Sequence, residues 1–303
     1  MPPGSRSAQA LARFADQIAA LAVFAALLGL VAPSRCLARH SDLLLACLVA
    51  FTALGVAPAR LAGLRARWLL VLALSVGPFV VLAALGWALS RGFDGPVRDG
   101  LIAIGLSCSE VAGVGLVALA GGDAVLALGV VTCSLVASAV LGPLLAGVLA
   151  HTVGHVGVGG LLTRFALVVI VPLIAGLLVR GSLPCLQRAE PALAGLSTLA
   201  VCALVYAALS GVHGDGQLGA ASLAAVAFLV ANGMLALGVA RALPRRDAAA
   251  VALPIALRDF AVAAALAGQA FGPSSATVAG VYGVLMLIAG AGAATAIRRR
   301  ASG

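Results

Sequence analysis

The chain has 303 residues, of which 63% are hydrophobic and 10% charged, with a mean hydropathy of +1.17. Soluble domains carry about a quarter charged residues, so this composition excludes an ordinary soluble fold. The net charge of +9 comes from 19 basic residues, all arginine. They gather at the ends of apolar runs rather than on one amphipathic face with interleaved aromatics, which excludes a nucleic-acid surface and points to anchoring in a bilayer.

In chain order, apolar runs lie at about 16–33, 42–57, 68–90, 99–120, 123–150, 161–180, 191–210, 217–240, 247–271 and 275–297. A spanning helix takes about 20 apolar residues, so the pattern predicts ten transmembrane helices, the second of them short. The opening residues MPPGSRSAQALARFADQ lack the n-region and small-residue cleavage site of a secretory signal, so the first run is expected to be a retained helix. Polar and breaking residues separate the runs: Pro33-Ser34-Arg35, Pro58-Ala59-Arg60, Arg91 to Asp99, Gly121-Gly122-Asp123 and Pro244-Arg245-Arg246-Asp247.

The arginines set an orientation. With the N-terminus inside, Arg6, Arg13, Arg60, Arg65, Arg67, Arg180, Arg188, Arg241, Arg245, Arg246 and Arg298 to Arg300 fall inside, and Arg35, Arg39, Arg91 and Arg98 outside. Both termini are then cytoplasmic, as expected for a multi-pass protein of the cell inner membrane. Little chain remains for a soluble domain, so residues 1–303 are read as one membrane domain. Its first repeat covers about 11–150 and its second about 161–300; five helices in each make the second inverted relative to the first. Arg13-Phe14-Ala15 at the first run and Arg164-Phe165-Ala166 at the sixth are a faint echo of that repeat.

Three ionisable residues lie well inside apolar runs: Glu110 in the fourth, and Arg258 and Asp259 in the ninth. These runs correspond in the two halves. A charge at mid-membrane costs about 2.5–3.5 kcal/mol on insertion scales and is functional by default. Helix-weakening residues accompany the charges: Ser107, Ser109, Gly113 and Gly115 around Glu110, and Pro254 ahead of Arg258. Pro254 removes a backbone hydrogen bond. Paired interrupted helices in equivalent places point to a transporter site.

Two stretches carry a family resemblance. LVALAGGDAVLALGVVTCSLVASAVLGPLL (116–145) resembles the fourth-to-fifth helix signature of the bile acid:sodium symporter family, L-A-x-G-[ND]-x-A-L followed by a Ser/Thr-bearing helix. ALRDFAVAAALAGQAFG (256–272) resembles its ninth-helix motif, E-x-G-x-Q-N followed by L-A-x-x-L-A. The resemblance implies an all-α fold of ten helices in two inverted repeats, with helices four and nine broken and crossing, and sodium-coupled transport of an organic anion. The family's sodium ligands align with Gly113, Val114, Ala127, Val131, Pro254 and Arg258, and Asp259 stands at the family's Asn and Glu110 at a glycine. A fixed cation at Arg258 thus stands where the family holds a mobile one, with Glu110 or Asp259 expected to hold its guanidinium.

The expected function is a secondary transporter moving a small organic anion by alternating access, with Glu110, Arg258, Asp259, Ser109 and Gly113 at the substrate or ion site. Arg258 and the positive N-terminal ends of the half-helices favour a carboxylate. Sodium coupling, proton coupling and uncoupled movement all stand open, as does export, including the arsenite type through Cys108. A non-transporting receptor is a further alternative. A structural ion pair is the plainer role for the three charges, and back-bonding to the helix the plainer role for Ser107 and Ser109.

No enzyme is expected: H-E-x-x-H, G-x-S-G and D-D-x-x-D are all absent from the sequence. The six cysteines form no C-x-x-C. His151 and His155 have an i, i+4 spacing, but in a Gly-rich connection that reads as solvated loop. No cofactor and no resident metal are expected; the partners are the substrate anion and the lipid bilayer.

Overall fold

The computed structural model describes residues 17, 20–34, 36–37, 40–56, 63–149, 158–183, 186, 190–210 and 215–302, and among these it is helical with no strand. Helix α1 spans Ala20–Val31 and α2 spans Ser41–Gly55. A 3-10 turn (Gly63–Arg67) leads into α3 (Trp68–Ser90), followed by α4 (Gly95–Gly105), α5 (Ala112–Leu119) and α6 (Ala124–Leu149). Then come α7 (Val158–Phe165), a π-helical turn (Ala166–Ile170), α8 (Val171–Ser182), α9 (Glu190–Leu209) and α10 (Asp215–Arg241). Helices α11 (Arg245–Ala256) and α12 (Phe260–Ala270) precede a 3-10 turn (Pro273–Ser275) and α13 (Ala276–Ser302). The His151/His155 pair and the Arg13-Phe14-Ala15 echo lie outside the described residues.

Among the described residues, five helices are long and apolar enough to cross a membrane: Gly63–Ser90, Ala124–Leu149, Gly159–Ser182, Gln217–Arg241 and Pro273–Arg299. Shorter apolar helices include Ala20–Val31, Ser41–Gly55, Asp247–Ala256 and Phe260–Ala270. The outward faces are strongly apolar. Leu69, Leu178, Leu199, Leu223 and Met234 are each at least 63% exposed, a distribution that suits lipid and not water.

Local chemistry explains where the helices change. Pro172, in the first turn of α8, has no N–H for the carbonyl one turn back, and the π-helical turn lies immediately before it. Gly121 ends α5 at φ +76°, a conformation that L side chains rarely adopt. The N–H groups of Gly121 and Gly122 donate back to Ala118 (3.1 Å) and Val117 (3.0 Å), closing the turn. Asp123 then opens α6, its Oδ1 accepting from Val125 N (3.0 Å) and Leu126 N (3.1 Å).

The helices pack in two groups. Helix α2 lies between α8 and α9, with α1 against α9; α3–α6 and α10–α13 pack among themselves. The groups meet where α9 lies on α13 and touches α12, where α12 touches α2, and where α6 runs into α7 and the π-turn.

Close approach of α3 to α4 depends on glycine. A Cβ at Gly105 would sit 2.7 Å from the Leu82 carbonyl oxygen and 3.1 Å from Gly86 Cα, backbone atoms that cannot swing aside. Gly105→Ala is therefore expected to destabilise by about 1–3 kcal/mol through overpacking. Gly115→Ala, where a Cβ meets nothing within 4 Å, should not; thermal unfolding of the two variants in detergent makes the comparison.

Candidate functional site: two interrupted helices that cross

The fourth and ninth apolar runs are both broken. The first break separates α4 from α5 and the second separates α11 from α12. Pro254 lies two residues before the end of α11, and the next turn opens into extended backbone at Leu257 (φ −112°, ψ 116°). The two breaks cross as a one-residue antiparallel bridge between Ser109 and Arg258. Glu110 N donates to Leu257 O (2.9 Å) and Asp259 N donates to Cys108 O (2.8 Å). Inside a membrane a helix break leaves polar backbone with no water to satisfy it. Here each break supplies the partner of the other.

Four further backbone groups are met by side chains from neighbouring helices. Ser109 N donates to Ser134 Oγ on α6 (3.0 Å), and Arg258 N donates to Tyr282 Oη on α13 (3.1 Å). Ser138 Oγ donates to Leu106 O (2.7 Å), and Asn232 Nδ2 on α10 donates to Ala256 O (2.8 Å). Ser134 and Tyr282 belong to the helices that follow the two breaks and do the same job for each. Sequence reasoning passed over these four residues. Asn232 carries a usable signal, as the only asparagine of the chain, inside a long apolar helix.

The five expected site residues are found together at the crossing. Ser109, Glu110, Arg258 and Asp259 are exposed by 4% or less. Gly113 lies in the first turn of α5, with Pro254 Cα 3.8 Å from where its Cβ would stand. The positions aligned with sodium ligands on runs four and nine therefore face each other, but without side-chain oxygens. Ala127 and Val131 are buried apolar residues. Metal cations of this kind are held by several oxygens at once, and this side-chain set does not fit one. Ser107 back-bonds to Ile104 O (2.8 Å), as its plainer reading required. Cys108 is fully buried.

The carboxylates are not used as expected. Asp259 caps α12: its Oδ1 accepts from Ala261 N (2.9 Å) and Val262 N (3.0 Å). Glu110 Oε1 accepts from Ala112 N (3.3 Å) at the start of α5. Each half-helix N-terminus is thus met by an acid of the chain itself, which satisfies the positive end of the dipole. Arg258 forms no ion pair with either carboxylate. Its Nε and Nη2 have no hydrogen-bond partner, and the guanidinium carbon lies 5.9 Å from the centre of the Phe79 ring. The expectation that Glu110 or Asp259 holds the guanidinium fails: the N–H groups of α12 take Asp259, and Arg258 lies within ion-pair distance of neither acid, although Glu110 keeps one oxygen without a partner.

The sequence pattern of the Sodium Bile acid symporter family matches residues 46–215, more than half of the chain and including the first break. The chain belongs to the sodium bile acid symporter family. Its members are transporters rather than enzymes, so this is a multi-pass membrane protein of the secondary-transporter type. No curated protein matches the chain. The second break, with Arg258, lies beyond the matched residues, so its reading rests on the geometry.

Proposed function

We propose that the protein carries a small organic anion across the cell inner membrane by alternating access around the crossed breaks. The observation that carries this reading is Arg258, a buried guanidinium with two N–H-bearing nitrogens left free beside the crossing. Since both half-helix N-termini are met by the chain's own acids, Arg258 is the anion-attracting group that remains. A guanidinium edge suits a carboxylate, which can accept two parallel hydrogen bonds. The two packing groups, joined at few places, are the bodies that would move against each other.

The ten-span inverted repeat within a single membrane domain is part of this proposal. Polar contacts between distant elements support it, because each joins ends that the arginine pattern assigns to one side. Arg67 reaches Asp247 (2.6 Å) and Asp123 (3.7 Å), all inner. Asp42 accepts from Arg164 (2.8 Å) and from Gln269 Nε2 (2.7 Å), all outer. Gln217 Nε2 donates to Ser274 O (3.1 Å), again both outer. Reporter fusions after Arg246 and Arg300 are expected to read cytoplasm and one after Ser210 the outside. A periplasmic reading at Arg300 would remove the inverted repeat.

Uptake into proteoliposomes across a panel of carboxylates, with sodium and pH gradients imposed separately, tests the function. Saturable movement of at least one carboxylate is the expected result, and indifference to the whole panel would refute it.

A further inference from the structure

The crossing holds two carboxylic side chains and one guanidinium, each almost completely buried. With all three ionised it carries one negative charge too many for a low-dielectric setting, where an uncompensated charge is costly. A compensating cation belongs on the carboxylate that the protein satisfies least. Asp259 is well satisfied by two short N–H bonds at the start of an eleven-residue helix. Glu110 has a long N–H bond from Ala112 to Oε1 (3.3 Å) and a weaker approach of the Val111 N–H, at the start of an eight-residue helix, and its Oε2 is buried with no hydrogen-bond partner.

Sodium does not suit Oε2. The aligned ligand positions Gly113, Val114, Ala127, Val131 and Pro254 offer no side-chain oxygen, and the hydroxyls of Ser134, Ser138 and Tyr282 are engaged with backbone. A proton needs one oxygen. The titratable groups that act on Glu110 are Cys108 on its own segment, Asp259 on the crossing segment and Tyr282 on α13, while the charged Arg258 stands opposite the neighbouring Ser109. Helices α3 and α6 bring Phe79 and Ser134 to the crossing, neither of them a charge. Among the described residues no cation lies within ion-pair distance of Glu110.

We propose that Glu110 binds the compensating cation of the crossing as a proton on Oε2, and that this proton, not sodium, is exchanged in the transport cycle. The coupling half of this inference rests on the transport reading above. Binding forms one O–H bond and leaves a neutral acid; release restores the carboxylate and returns the proton to water on whichever side the site is open. Arg258 then balances Asp259, and the crossing is neutral when the proton is in place.

Infrared spectroscopy of the purified full-length protein in lipid bilayers, without substrate, tests the binding. At neutral pH the carbonyl band of a neutral carboxylic acid is expected in the wild type, absent from Glu110→Gln and retained in Asp259→Asn. No such band, or one that survives Glu110→Gln, would overturn the proposal. Should Glu110→Gln fail to fold, Glu110→Asp decides the point, since the band must shift if it belongs to this side chain. Proteoliposomes test the exchange: accumulation driven by a pH gradient with sodium absent, and lost in Glu110→Gln, is expected. Accumulation driven by sodium alone would refute it. If no carboxylate of the panel moves, the transport reading fails while the infrared band still decides whether Glu110 holds the proton.

Discussion

Replacing Arg258 with glutamine is expected to abolish transport without making it depend on sodium. Glutamine restores the residue that the family carries at this position, yet Gly113, Val114, Ala127, Val131 and Pro254 would still provide no side-chain oxygen. What is lost is the one buried cation at the crossing. Truncating a buried, desolvated charge partner costs about 2–5 kcal/mol in binding, which corresponds to a roughly thirtyfold to several-thousandfold loss of apparent affinity. Uptake of a carboxylate that the wild type carries, measured with sodium and then with choline, gives the answer. Sodium-stimulated uptake by the variant would mean that backbone carbonyls alone assemble an ion site. The double variants identify which acid the guanidinium balances. With Glu110 neutral, Arg258→Gln combined with Asp259→Asn should recover stability and Arg258→Gln combined with Glu110→Gln should not, a coupling that a double-mutant cycle isolates.

The second large effect falls on stability. Asp259→Ala removes the acceptor for two buried N–H groups, those of Ala261 and Val262. Each buried donor left without a partner costs about 1–3 kcal/mol, so the two together place the loss at roughly 2–6 kcal/mol, above the usual 0.5–2 kcal/mol or so of a lost helix cap. Asp259→Asn keeps an oxygen at the same position and should retain most of the stability. Thermal unfolding of both variants in the same detergent separates the two roles of the residue. Equal losses in the alanine and asparagine variants would mean that the charge, and not the cap, holds α12 in place. An intact alanine variant would mean that neither does.

Sequence and tertiary structure divide this protein along clear physical lines. Composition and the repeated apolar runs determined that it is a helical membrane protein, because lipid exposure demands apolar surface over the whole length of a span. The breaks were legible too: Ser107 to Glu110 with Gly113, and Pro254 to Asp259, combine charge with residues that weaken a helix. So was the family, through the stretch that follows the first break. What the side chains at the breaks do was not legible. Pairing Arg258 with an acid was the natural expectation from charge alone, but a carboxylate beside the first free N–H groups of a half-helix has a nearer partner than a guanidinium. That competition is local in space and shows only when both half-helices are in place. The direct opposition of Ser109 and Arg258, and the supply of Ser134, Tyr282 and Asn232 to the broken backbone, join segments far apart in the chain. No pattern within any one segment encodes such a meeting; it follows from the need to satisfy every buried backbone group once two interrupted helices are packed against each other in a medium without water.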